Sequence, residues 1–184
     1  MEHYMGRKFR TTFVKDTIAH EREMREMIET GKKLKLLGMT PNFFGNLSIR
    51  VDDGILITAG GARLGGLKEE DVVLLKEYDQ EQNIIKVVGS KEPSSETPLH
   101  CLIYTKLGCK VVIHVHDDLL LAHYNELNIP MAKYAPYGTL ELAQNVLTAL
   151  ERGNLVAMEK HGILSIGENM GEALNRIILA RTRL

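Results

Sequence analysis

The stretch Val111–Leu120, VVIHVHDDLL, limits what this chain can fold into more than any other. Its first six residues read as a buried strand that carries two histidines with Val115 between them. Successive strand side chains point to opposite faces, so His114 and His116 share one face, about 6–7 Å apart along the strand. Two imidazoles at that spacing can converge on one metal ion. The alternative is a pair of half-buried histidines at a strand end, and only further ligands decide between the two.

Composition narrows the setting of that strand. The chain has 184 residues, enough to bury a full hydrophobic core, and the expected organisation is one domain over residues 1–184. The formal net charge is -1 with no long basic or acidic block, so neither nucleic acid nor an anionic membrane surface is indicated as a partner. No apolar run has the length of a membrane span. The start, MEHYMGRKFRTTFVKD, is polar and lacks the apolar stretch of a signal peptide, which makes a cytoplasmic location the expectation. Cys101 and Cys109 are not in a C-x-x-C arrangement and read as reduced structural thiols.

Periodicity and punctuation give the elements around the strand. Residues 16–37 read as a helix with Asp16 or Thr17 as cap, an apolar stripe through Ile18, Met24, Met27, Ile28 and Leu34, and Gly38 after the end. NLSIRV and ILIT, joined by DDG, read as a hairpin over residues 46–58, and a glycine-rich loop, AGGARLGGL, follows. DVVLLKEY and NIIKVV read as two more strands. A helix runs from about Ser95 to Gly108, another from Asp117 to Asn125, and an amphipathic one follows with Thr139 as cap. NLVAMEKHGILSIG reads as two short strands broken at Lys160–Gly162, and a helix from about Asn169 closes the sequence. Hairpin-like connections predict a largely antiparallel sheet with helices packed on it.

The search for further ligands starts from the remaining histidines. His3 and His20 read as surface residues, and His123 as solvated or packing on the helix after the H-x-H strand. His161 stands at a strand-to-strand break before Gly162, where a side chain can project from the end of a sheet. Glu96 is the carboxylate candidate, in the first turn of a helix, where the helix dipole favours a carboxylate in any case. His100 lies four residues on, on the same helical face, and can orient that carboxylate or simply pack. Ser94 and Ser95 at the same helix start, with the loops at Gly45–Asn46 and Gly60–Gly61, offer hydroxyls and backbone donors suited to a phosphate. Each of those loops, taken alone, also suits an ordinary hairpin.

Taken in order, Gly45-Asn46-Leu47-Ser48, Ile57-Thr58-Ala59-Gly60-Gly61, Pro93 to Glu96 with His100, His114 to His116, and His161-Gly162 resemble the motifs of the class II aldolase/adducin family. The resemblance covers roughly residues 20–180 and is greatest to the branch that cleaves L-fuculose 1-phosphate, because glutamate follows the serines. It implies a three-layer α/β/α fold with a central, largely antiparallel sheet, and a homotetramer with active sites between subunits. It further implies that His114, His116 and His161 hold a divalent metal: zinc, or else Mn2+, Co2+ or Fe2+. Glu96 would be the fourth ligand at rest and the general base once substrate binds. Gly45, Asn46, Gly60, Gly61, Ser94 and Ser95 would cradle the phosphate of a small sugar phosphate. The neighbouring subunit's tyrosine would protonate the aldehyde oxygen; Tyr134, a few residues after Ile129-Pro130, is the candidate, and Tyr137 its rival.

The sequence departs from that pattern in three places. Gly60 stands where a hydroxyl residue often contacts the phosphate, the segment after Tyr134 is short, and the sequence ends at Leu184, soon after the last helix. Loose aldehyde selectivity is the expectation. The alternatives within the family are a 4-epimerase, a dehydratase and a decarboxylase. The epimerase branch needs an acidic residue in the loop that here reads IPMAKYAPYG, which contains none. A non-catalytic adducin-like module would have no reason to keep the four metal ligands together.

Overall fold

The computed structural model describes residues 6–40 and 44–184, and His3 lies outside them. The strands are β1 (Arg10–Phe13), β2 (Asn46–Val51), β3 (Gly54–Thr58), β4 (Val72–Asp79), β5 (Ile84–Val88), β6 (Val111–Val115), β7 (Met131–Ala132), β8 (Leu155–Met158) and β9 (Gly162–Gly167). The longer helices are α1 (Glu21–Leu36), α2 (Thr97–Lys106), α4 (Leu140–Leu150) and α5 (Met170–Arg181), with a short α3 (Asp118–Ala122). One nine-stranded sheet runs in the order β1-β5-β4-β3-β2-β6-β9-β8-β7. Only its two outer pairs, β1 with β5 and β7 with β8, are parallel.

Alternation along the central strands assigns the layers. Val111, Ile113 and Val115 of β6 and Leu47 and Ile49 of β2 pack with Met27 and Leu34 of α1 and Leu174 and Ile177 of α5. Val112 turns to the other face, where Leu99 and Ile103 of α2 and Leu142 and Val146 of α4 cover it. The result is the expected three-layer arrangement, with a mostly antiparallel sheet buried on both faces. Among the described residues no helix is long and apolar enough to cross a membrane.

Most elements follow their local signals. Thr139, Asn169 and Asp117 each cap a helix by accepting from a backbone N–H three residues on. The start of α1 differs from expectation. His20 takes the cap position without a side-chain bond to the helix, and the Asp16 carboxylate instead accepts from the neighbouring Thr17 N–H. His20 is not an isolated surface residue, since its Nε2 lies 2.6 Å from Asp53 Oδ1. The helix after β6 ends at Ala122 rather than Asn125. The outermost strands, β1 and β7, carry no clear alternation and were not legible in the sequence.

Candidate active site

The site forms where β2, β6 and the start of α2 meet. β2 and β6 are antiparallel neighbours, with Asn46 opposite His114 and Ser48 opposite Val112. Since Leu47 and Ile49 face the α1 and α5 layer, Asn46 and Ser48 face α2, on the same side as His114. Two glycines allow the close approach. Gly45 has φ of 95°, and a Cβ there would stand 2.7 Å from the His114 carbonyl oxygen. A Cβ on Gly162 would stand 2.4 Å from the Val115 carbonyl oxygen and 2.9 Å from His114 Cε1. Any larger residue there would push the His161 turn away from β6.

Glu96 is the centre of the cluster. It precedes α2 rather than lying in its first turn, and its side chain caps nothing. The carboxylate turns inward and is only 5% exposed. Its Oε2 lies 3.2 Å from His114 Nε2, and its Oε1 lies 3.0 Å from His161 Nε2. His114 Nε2 is in turn 3.0 Å from His116 Nε2. The Nδ1 of His114 is 3.0 Å from the Ile163 carbonyl oxygen. A carbonyl can only accept, so Nδ1 carries the proton and Nε2 keeps its lone pair toward the cluster. Glu96 Oε1 is buried and faces His161 Nε2 as an ion pair, with no well-aligned hydrogen bond on it.

These residues fit a divalent metal. The ligand atoms of His114, His116 and His161 all lie within 4.8 Å of one another. Two donors bound to one tetrahedral ion at roughly 2.0–2.1 Å stand about 3.3 Å apart, close to the 3.0 Å and 3.2 Å separations around Glu96. Burial pushes the His116 ring down to about 3, with His114 and His161 adding to the effect and Glu96 opposing it. His114 is likewise lowered, chiefly by burial. Burial on its own would raise Glu96, but His114, His161 and the Asn46 amide outweigh it and hold the carboxyl well below the usual range. Neutral rings on His114 and His116 and a charged Glu96 are the protonation states a metal requires of such ligands.

A string of buried polar groups supports the carboxylate from behind. Asn46 Nδ2 donates to Glu96 Oε2 at 2.8 Å, and its Oδ1 accepts from His100 Nε2 at 2.5 Å. His100 Nδ1 lies 2.6 Å from Ser48 Oγ, which is 2.8 Å from Tyr104 Oη. Because Asn46 Oδ1 can only accept, His100 carries its proton on Nε2 and Nδ1 accepts from Ser48. The string gives Asn46 one orientation, with its amide N–H on Glu96. His100 therefore orients the carboxylate through Asn46 rather than touching it.

The cluster lies along one wall of a cleft of about 420 Å³. Gly45, Asn46, Gly60, Gly61, Ser94 and Ser95 all line that cleft, together with Glu96, His116, His161 and Tyr137. Two of the expected phosphate-binding residues already spend a donor within the fold. One Asn46 amide N–H is on Glu96, and the Gly60 N–H donates to the Glu92 carbonyl at 2.9 Å. Tyr134 does not line this cleft; it is 40% exposed, with Lys160 Nζ 5.4 Å from its ring centroid. Three lining residues were not foreseen. Phe44 stacks on His116 with ring centroids 4.8 Å apart, Lys160 precedes His161 with φ of 61°, and Arg7 arrives from the N-terminal segment. Only Lys160 had a signal, its place beside the candidate ligand.

Comparison with known proteins bears on this arrangement. Residues 25–183 match the family model described as Class II Aldolase and Adducin N-terminal domain. The chain belongs to the class II aldolase and adducin family. An L-fuculose phosphate aldolase of Methanococcus maripaludis is 35% identical over 145 residues, covering 70% of this chain and 76% of that protein. A 5-methylthioribulose-1-phosphate/5-deoxyribulose-1-phosphate aldolase of Rhodospirillum rubrum is 28% identical over 167 residues, covering 80% of this chain and 72% of that one. A solved L-fuculose 1-phosphate aldolase superposes with a TM-score of 0.74 at 31% identity, covering 90% of this chain and 84% of that structure. The sugar-phosphate aldolase of Thermotoga maritima, at 20% identity and a TM-score of 0.78, shares the fold. Within the family this chain is a class II aldolase, a lyase.

Proposed function

We propose that this class II aldolase reversibly cleaves a ketose 1-phosphate to dihydroxyacetone phosphate and an aldehyde. His114, His116 and His161 would hold a divalent cation, zinc by preference, with Glu96 as the fourth ligand at rest. The observation that carries the proposal is the Glu96 carboxylate itself. It lies 3.0–3.2 Å from two imidazole nitrogens, with an oxygen that no well-aligned hydrogen bond satisfies, at the wall of a cleft whose lining includes serines and glycines. A cation bound there supplies a Lewis acid for the negative charge that develops on the substrate's carbonyl oxygen.

The chain's own residues move the protons. In the condensing direction Glu96 takes a proton from the hydroxymethyl carbon of dihydroxyacetone phosphate, that carbon bonds to the aldehyde carbon, and a tyrosine gives its proton to the aldehyde oxygen. Cleavage reverses both transfers. Tyr134 of a neighbouring subunit in a homotetramer is the proposed acid. Tyr137 is tied into the fold instead: its hydroxyl donates to the Gly6 carbonyl at 3.2 Å, and its own carbonyl accepts from Lys8. The named relatives support the substrate class. Their sugars share a phosphorylated ketose and differ in the rest, which leaves the aldehyde open.

The test is release of dihydroxyacetone phosphate from a panel of ketose 1-phosphates, including those of fuculose and rhamnulose, with and without a chelator. Release that the chelator abolishes is expected. No release from any sugar by metal-loaded protein would overturn the proposal and favour the epimerase, dehydratase or decarboxylase branches.

A further inference from the structure

A permanent cation reaches the serine and glycine wall of the cleft from a part of the chain that no motif marks. We propose that Arg7 anchors the phosphate of the substrate and so sets specificity for phosphorylated ketoses; this deepens the aldolase reading above and rests on it.

Arg7 is held in place on both sides. The Gly6 carbonyl accepts from the Tyr137 hydroxyl at 3.2 Å, and Lys8 Nζ donates to the Tyr137 carbonyl at 2.8 Å. The Lys8 carbonyl accepts from Asn83 Nδ2 at 2.6 Å, and Phe9 is buried in the sheet core. The backbone on either side of Arg7 is thereby fastened, and its side chain extends into the cleft. Its Nε stands 3.6 Å from Glu92 Oε2, an ion pair without a hydrogen bond. Nη1 lies 3.7 Å from the point a Cβ on Gly60 would occupy. A guanidinium in this place presents paired donors that match phosphate oxygens.

The rest of the wall needs such a residue. Gly60 offers no side chain, and a Cβ there would crowd the Pro93 carbonyl oxygen at 3.2 Å. Its N–H is committed to Glu92, and one of the two Asn46 amide N–H groups is committed to Glu96. Ser94, Ser95 and the second Asn46 N–H offer only neutral donors. Lys160, the other cation of the lining, belongs to the histidine side, with Nζ 3.7 Å from Glu159 Oε1. Arg7 therefore supplies the charge that hydroxyls and glycines cannot.

The experiment uses metal-loaded full-length protein as wild type, R7Q, R7K and R10Q. The last removes a charge from the exposed face of β1, away from the cleft. Two quantities are read: binding of inorganic phosphate by calorimetry, and the ratio of kcat/KM for a ketose 1-phosphate to that for the unphosphorylated ketose. R7Q is expected to weaken phosphate at least tenfold and to lower the ratio at least tenfold, chiefly through KM. R7K should recover part of both, and R10Q should match wild type. Phosphate affinity and ratio within twofold of wild type in R7Q, or an equal loss in R10Q, would overturn the inference. If wild type cleaves no ketose 1-phosphate, the aldolase reading fails by itself. The calorimetry then decides Arg7 alone: tenfold weaker phosphate in R7Q sustains its role, and equal affinity ends it.

Discussion

Acid should unfold this protein partly through one histidine that never touches substrate. His100 is fully buried between Ser48 and Asn46, and burial pushes its ring from the ordinary 6.5 down to about 3, with His114 adding to the effect and Glu96 opposing it. The unfolded chain takes up this proton below its ordinary value, while the folded chain refuses it until about pH 3. Between those limits the unfolded state binds more protons, so stability falls as pH falls. At 1.36 kcal/mol per pH unit, going from about pH 7 to about pH 4.5 costs roughly 2.5 kcal/mol through His100 alone. Other buried histidines add to the slope, so the effect must be isolated. Urea unfolding of wild type and of His100→Gln, both with chelator present, does this. The glutamine variant starts less stable, since it disturbs bonds to both partners, but it should lose about 2.5 kcal/mol less over the same pH range. Parallel stability curves for the two proteins would show that His100 takes up no proton on unfolding, and the burial argument would be wrong.

Three further outcomes follow from the site. Glu96→Gln should fold and bind phosphate yet lose at least about 10²-fold in turnover, because the amide cannot accept the proton; near-normal kcat would remove Glu96 as the base. His116→Ala should lose the thermal stabilisation that zinc confers on wild type, about 2.7 kcal/mol at a hundred times the dissociation constant; an undiminished zinc-induced Tm shift would count against the ligand set. Gly162→Ala must displace the Val115 carbonyl from 2.4 Å, so about 1–3 kcal/mol of stability and much of the metal affinity should go together; a variant with wild-type denaturation midpoint would show that the turn has room.

Much of the candidate metal site was legible because its signals are local. Alternation along β6 placed His114 and His116 on one face, and their Nε2 atoms do meet at 3.0 Å. The break before Gly162 marked His161, and the serines marked the start of α2. A largely antiparallel sheet with helices packed on it followed from the same periodicities, and the ordered motifs carried the family and its three-layer fold. What the sequence could not give was how the amide of Asn46 is used. That residue is 50 positions from Glu96 and 54 from His100 along the chain. The three meet only because β2 is laid beside β6, with α2 across both.

The division has one physical cause. Strand alternation, capping and glycine breaks act over a few residues, so the sequence by itself determined the faces, the turns and the set of candidate metal-ligating side chains. Sheet order and hydrogen-bond competition act between distant segments. They decided that the Asn46 amide serves Glu96, that the Gly60 N–H serves Glu92, that Tyr137 fastens the N-terminal segment, and that Arg7 enters the cleft. A donor can satisfy only as many acceptors as it has protons, and which acceptor reaches it first is settled when the chain is packed.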